Sequence, residues 1–214
     1  LQQAGLDVDV GGNIGKAVFL LRPPAKGRVY VLELSSFQID LMPRLDPHVG
    51  ILTNITPDHL DRYEYNFQNY VNSKFRIVNN QTENDIFIFC ADDPVIMKEL
   101  SERTIAAQLY PYTISDKLPF GERGAYVNND QLIIYINQYN TLTMKMTELA
   151  LQGKHNLANS MAAGVAGMIF ELRKEIVRES LENFENVEHR LEFVSKVNGV
   201  TFINDSKAVS IYMS

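Results

Sequence analysis

The sequence predicts an α/β fold, with a mostly parallel sheet flanked by helices and a small antiparallel appendage. Three observations predict it: apolar runs alternate with helical stripes, a stretch of period-two alternation follows, and a long one-sided helix comes after that. Taken in order, Val29-Tyr30-Val31-Leu32-Glu33-Leu34 and Val49 to Ile55 read as buried strands, almost continuously apolar as strands covered on both faces are. Phe67, Tyr70, Val71, Lys74 and Val78 fall on one helical face and predict a helix over 67–78. Ile86 to Cys90 predicts the next strand, which completes a βαβ pattern. Between about 108 and 149 the texture changes to alternation with turn residues, as in Tyr126 to Ile134, and predicts the antiparallel appendage. Leu157, Met161, Val165 and Met168 form one stripe of a helix from about His155 to Leu172, and a further helix runs from about Lys174 to Phe184. Leu191 to Asn204 reads as two strands around Asn198-Gly199, and the boundary of a second domain is expected near Asn186.

Composition bounds the function. A chain of 214 residues, 45% hydrophobic and 21% charged, holds one sizeable core and part of a second domain. A net charge of -6, a pI near 5.3 and no basic run argue against a general nucleic-acid binder. The single cysteine, Cys90, lies in an apolar run; it excludes disulfides within the chain and favours a reducing compartment and a packing role. No apolar run has the length of a membrane span, and no basic-then-apolar leader opens the chain, so the expectation is a cytoplasmic protein without membrane insertion.

Four places carry chemistry. Thr53-Asn54-Ile55-Thr56-Pro57-Asp58-His59-Leu60-Asp61 follows a strand, and loops at the carboxyl ends of strands are where open α/β sheets place ligands. Asp58, His59 and Asp61 supply metal-ligand or acid/base chemistry, or simply cap the loop. Glu33 interrupts an apolar strand near its end: either the position is at the surface, or the carboxylate meets a cation, with Glu33 and His59 at the ends of two neighbouring strands. Lys74 occupies an inward helical position, where it either snorkels to the edge or loses its proton more readily. A neutral amine can react, or capture carbon dioxide as a carbamate; spacing does not select that outcome. In Gly153-Lys154-His155-Asn156-Leu157-Ala158-Asn159, two amides at i and i+3 open a helix, and either face one ligand or cap the helix.

Gly11-Gly12-Asn13-Ile14-Gly15-Lys16-Ala17 looks suited to phosphate, yet Val10 and Ala17 stand where a P-loop needs Gly and Ser or Thr. The glycines instead suit close approach of backbone to a ligand.

As a set, Gly12 to Gly15, Glu33-Leu34-Ser35-Ser36-Phe37-Gln38, Thr53 to Asp61, Tyr70 to Lys74, Gly153 to Asn159, Glu188-His189-Arg190 and Asn204-Asp205-Ser206-Lys207-Ala208 resemble the Mur ligases in kind and order, and within them the D-glutamate-adding branch. A folylpolyglutamate synthetase-like ligase is the alternative inside the superfamily, and it lacks the Ser-Ser-Phe-Gln string. A noncatalytic nucleotide- or partner-binding remnant is the alternative outside enzymology.

The resemblance implies ATP-dependent amide formation through an acyl phosphate, with UDP-N-acetylmuramoyl-L-alanine and D-glutamate as small-molecule substrates, in a monomer that serves peptidoglycan synthesis. It implies magnesium at Glu33, His59 and a carbamylated Lys74, and substrate contacts at Asn13, His59, Ser35 and Gln38. It places the nucleotide on Asn156, Asn159, Arg190 and Asp205, and brings Lys207 to the reacting groups; Lys74, His59 and Lys207 are the catalytic candidates. It further implies that residues 1–186 are the central ATP-binding domain without its first strand and phosphate loop, that 187–214 open a Rossmann-like C-terminal domain that binds D-glutamate, and that the chain is a fragment inactive by itself.

Overall fold

The structure, a computed structural model, describes residues 1–119, 121–184, 192–197 and 200–204. Its centre is a six-stranded sheet in the order β3 (Val49–Leu52), β4 (Ile86–Cys90), β5 (Gln108–Thr113), β6 (Gly124–Asn128), β7 (Gln131–Asn137) and β8 (Asn140–Lys145). β3, β4, β5 and β6 pair in parallel; β6, β7 and β8 form an antiparallel meander. Every residue of β4 is buried, and Phe87, Ile88 and Phe89 have no exposure at all. At roughly 2 kcal/mol for each large apolar side chain removed from water, this strand anchors the core. Cys90 ends it as a buried, free thiol.

Among the described residues, five α-helices flank the strands: α1 (Ser36–Asp40), α2 (Phe67–Phe75), α3 (Pro94–Glu102), α4 (Lys154–Ile169) and α5 (Lys174–Glu182). α2 packs Phe75 edge-on against Phe87, with ring centroids 6.3 Å apart. The stripe of α4 buries Met161, Val165 and Met168 as predicted, with Leu157 packed at its border. Asp93 starts α3 by accepting the N–H groups of Val95 and Ile96, both at 2.9 Å, and Pro94 takes the first turn, where no donor is needed.

Several expectations are corrected. β5 belongs to the parallel part, pairing with β4 and β6 in parallel, so the antiparallel part begins only at β6. The helix predicted over 67–78 is α-helical to Phe75 and tightens to a 3-10 turn at Arg76–Val78. The two later helices end at Ile169 and Glu182, short of 172 and 184. The strand from Val29 closes at Glu33 as β2 and is not buried: Val31 is 42% exposed. β2 pairs in parallel with β1 (Val8–Gly12), which the sequence reading missed, in a separate two-stranded sheet. Glu33 and His59 therefore do not follow neighbouring strands of one sheet among the described residues. β9 (Glu192–Val197) and β10 (Val200–Asn204) pair antiparallel, as expected. The expected boundary near Asn186 and the turn at Asn198-Gly199 lie outside the described residues.

Candidate active site at the carboxyl ends of β2 and β3

The β1–β2 pairing brings Asn13 to Glu33. Gly12 stands opposite Glu33, its φ is 116°, and a Cβ there would sit 2.1 Å from the Glu33 carbonyl oxygen, so glycine is required. That close approach lets the Asn13 N–H donate to the Glu33 carbonyl at 2.6 Å, while Asn13 Nδ2 donates to Glu33 Oε1 at 3.4 Å. Both side chains are exposed. Exposure removes the desolvation cost that a buried Glu33 would have carried, so the carboxylate needs no permanent cation.

Directly after β2, Ser35 and Gln38 hold each other. Gln38 Oε1 accepts from the Ser35 N–H at 2.9 Å and from Ser35 Oγ at 3.0 Å, the arrangement of a capping box at the start of α1. As placed, both side chains serve the helix terminus. Phe37, between them in sequence, turns its ring edge-on to the His59 imidazole at 6.1 Å and receives the Arg62 guanidinium at 4.5 Å.

The loop after β3 is tied from both sides. Asp93 Oδ2 accepts the Ile55 N–H at 2.8 Å, and Tyr112 donates to the Thr53 carbonyl at 3.3 Å. His59 adopts φ 49°, a left-handed conformation that costs a non-glycine residue about 1 kcal/mol or more. Asp58 Oδ1 accepts the His59 N–H at 2.8 Å and Asp58 Oδ2 lies 3.5 Å from His59 Nε2. The imidazole is half exposed and remains accessible.

Across this loop lies α2. Lys74 is half-buried with its ammonium 5.1 Å from the Tyr70 ring. Burial pushes the Lys74 ammonium below its usual range, with Asp58 pulling weakly the other way. The Tyr70 hydroxyl is pushed up to about 12, mainly by burial and then by the charge of Asp58. The charge of Asp58 thus acts on both α2 side chains. Beneath them, Ser73, Tyr63, Ser36 and Asp40 form a chain of polar contacts joining α2, the β3 loop and α1.

Of the predicted site residues, the structure joins Asn13 to Glu33 and Ser35 to Gln38, and sets His59 against Asp58, whose charge also acts on Lys74. Asn156 donates from Nδ2 to the Gln152 carbonyl at 2.8 Å, one turn before its own position, while Asn159 is exposed on the first turns of α4. Gly153 begins that helix with φ 97°. Arg190, Asp205 and Lys207 lie outside the described residues. Phe37, Tyr63, Ser73 and Asp93 were missed as site residues because their partners in the site lie outside any local spacing rule, whereas Tyr70 shares the helical stripe of Lys74 and was read only as packing.

Among the described residues, no group of three or more His, Cys, Asp or Glu could cage a metal ion. Magnesium needs no such cage, because it keeps several waters and takes one or two carboxylates plus substrate phosphate oxygens. Glu33, exposed and touched only by a long amide contact, fits that demand; an ammonium at Lys74 does not, since it adds positive charge beside the ion. A shallow hollow lined by Phe75, Gln81, Arg103 and Ile105 lies at the other end of the sheet, away from these groups.

The comparisons agree with this architecture. The Mur ligase middle domain profile matches residues 10–167. The UDP-N-acetylmuramoylalanine--D-glutamate ligase of Christiangramia forsetii is 47% identical over 211 residues, 99% of this chain and 46% of its own length. That of Bacteroides fragilis is 46% identical over 212 residues, with 98% and 46% covered. The chain spans about half the length of the curated relatives it matches. Among solved structures, the MurF ligase of Thermotoga maritima in complex with ADP superposes with a TM-score of 0.65 at 16% identity, covering 96% of this chain and 48% of its own. MurF of Acinetobacter baumannii gives a TM-score of 0.62 at 18% identity, with 95% and 51% covered. Identities this low speak for the fold alone. The profile match across most of the chain and the identity to D-glutamate ligases along nearly all of it establish that the chain belongs to the Mur ligase middle-domain family.

Proposed function

We propose that this chain is the central part of a cytoplasmic ligase that adds D-glutamate to UDP-N-acetylmuramoyl-L-alanine at the expense of ATP, for peptidoglycan synthesis. The observation that carries the reading is the 47% identity to a D-glutamate ligase over 99% of the chain, with the β2–α1 segment Glu33-Leu34-Ser35-Ser36-Phe37-Gln38 meeting the loop that holds Thr53 to Asp61 through Phe37 and His59. Residues 1–186 form the ATP-binding domain and 187–214 open the domain that receives D-glutamate. A preceding segment supplies the first strand and the phosphate loop. The apolar side chains of Val10, Val31 and Ile51, each more than a third exposed on β1, β2 and β3, suit a strand laid between the two sheets.

In the reaction, the alanyl carboxylate attacks the γ-phosphorus of ATP, ADP leaves, and an acyl phosphate forms. The amine of D-glutamate then attacks the acyl carbon, phosphate leaves, and the amine loses a proton. Such transfers depend on position and charge neutralisation. Magnesium, when bound, supplies that neutralisation at the phosphate oxygens. Glu33 and His59 would hold it, and Lys74 would contribute as a carbamate, a role that its depressed proton affinity suits. Asn13, His59, Ser35 and Gln38 orient the muramoyl substrate. Ser35 and Gln38 do so only if they exchange their mutual bonds for bonds to substrate. Asn156 and Asn159 meet the base, Arg190 and Asp205 the rest of the nucleotide, and Lys207 the reacting groups.

The test is to incubate the purified full-length ligase with UDP-N-acetylmuramoyl-L-alanine, D-glutamate, ATP and magnesium, and to follow product mass and phosphate release. Product that requires all four components is expected. ATP binding without product would favour a noncatalytic nucleotide-binding protein, and product only with a folate acceptor would favour the folylpolyglutamate branch; either result sinks the proposal.

A further inference from the structure

We propose that Ser73 and Tyr63 are positioning residues for Lys74: a buried hydroxyl relay that fixes α2 against both segments carrying Glu33 and His59. The inference rests on the reading of Glu33, His59 and Lys74 as one reactive site.

Ser73 immediately precedes Lys74 and is only 3% exposed. A serine inside a helix ordinarily turns its hydroxyl back to a carbonyl of its own preceding turn. Here Ser73 Oγ donates instead to the Ser36 carbonyl, at 2.9 Å, across 37 residues of sequence. Ser36 is the first residue of α1 and follows Glu33 by way of Leu34 and Ser35. The same Oγ lies 3.1 Å from the hydroxyl of Tyr63, which closes the 3-10 turn that begins directly after His59. One serine therefore touches the segment behind Glu33 and the segment behind His59, and stands next to the lysine that has to meet them both.

A proton count sharpens the arrangement. The Ser36 carbonyl and an ionised Asp40 carboxylate can only accept. Two hydroxyl protons therefore serve three contacts: Ser73 to Ser36, Tyr63 with Ser73, and Tyr63 to Asp40 at 3.2 Å. Ser73 gives its proton to Ser36, and Tyr63 divides its own between Ser73 and Asp40. Arg76 Nε, 3.7 Å from Asp40 Oδ1, holds the carboxylate charge at the end of the relay. Removing either hydroxyl leaves a buried acceptor short of a donor and lets α2 shift against the loops. An error of about 1 Å in such a site costs on the order of a hundredfold in rate.

The experiment uses Tyr63→Phe and Ser73→Ala in the full-length ligase, with Lys74→Ala as the control. Tyr63→Phe deletes a single oxygen and keeps the ring packed on Tyr70, so it is the variant expected to fold. Three readouts are taken: thermal midpoint, turnover, and Mn²⁺ affinity by electron paramagnetic resonance in the presence of nucleotide. Each variant, although folded, should lose on the order of tenfold in turnover and in Mn²⁺ affinity, with the KM for ATP little changed. The double variant should be no worse than the more damaged single one, because both act through one relay. If Lys74→Ala loses turnover while folded Tyr63→Phe keeps wild-type turnover and Mn²⁺ affinity, the positioning role is overturned and the site reading stands. If Lys74→Ala itself keeps full turnover, the site reading fails first.

Discussion

Unmodified, Lys74 is a cation held where burial disfavours cations, with the Tyr70 ring and the charge of Asp58 among its compensations. Its sign can be tested by stability alone. Because the folded state lowers its proton affinity while the unfolded chain keeps the ordinary value near 10.5, the folded form binds fewer protons between those two values. The resulting destabilisation is complete below the folded pKa and relieved as pH rises towards the unfolded one. Lys74→Met should therefore be more stabilising at pH 7 than at pH 10, as read by denaturant melts at the two pH values; an unchanged difference would mean that the ammonium is solvated. Activity should move the opposite way. Lys74→Ala in the full-length ligase should lose most turnover, and added formate should restore part of it by filling an anionic position. Lys74→Arg should stay inactive, because a guanidinium keeps its charge and cannot carry a carbamate. Full activity of Lys74→Arg would remove the carbamate from the reading.

At the scale of the element, the two parallel connections that depend on a missing side chain are the most fragile. Gly12→Ala would press a methyl group onto the Glu33 carbonyl, and Gly124→Ala would do the same to Pro111, 1.9 Å away, where β6 meets β5. In both cases the obstacle is backbone and φ is positive, so each substitution should cost about 3 kcal/mol. Chemical denaturation would show it, and a loss below 1 kcal/mol would mean that the strands are free to part. The same elements mark what was legible in the sequence. β4 could be read because five apolar residues leave no alternative to a buried strand, and the α4 stripe because its period is helical. β1 could not, since Gly11-Gly12 suggests a loop and only pairing with β2 makes it a strand. α1 and α3 are short, and their starts at Ser35 and Asp93 become signals only once the following turns are seen. The site divides in the same way. Glu33 and Lys74 stood out as polar groups at positions the pattern reserves for apolar ones, and His59 as part of a polar loop after a strand, whereas Tyr63 and Ser73 meet across ten residues of sequence and reach Asp40 and Ser36 much further off.

For the whole molecule, the separation of β1–β2 from the six-stranded sheet has a cost. β2 and β3 each have one edge unpaired among the described residues, and Val31 and Ile51 are exposed on those strands, with Val10 exposed on β1 next to Val31. Open edges of this kind recruit other strands. The isolated 214-residue chain is expected to self-associate, and a peptide carrying the strand proposed above to fill the gap should reduce that association and raise the melting temperature. Light scattering and a thermal melt with and without the peptide check this; a monomeric chain indifferent to the peptide would refute a strand-sized gap. Cys90 adds something to such measurements. It is the only sulfhydryl among 214 residues, it ends the innermost strand at 9% exposure, and burial pushes its thiol pKa up. Shielded and protonated, it reacts with an alkylating reagent only when the region around β4 transiently opens. The rate at which one mass increment appears under pulsed maleimide is then a clock for breathing of the core at the end nearest the site, so ligand-induced tightening there can be timed without introducing a probe.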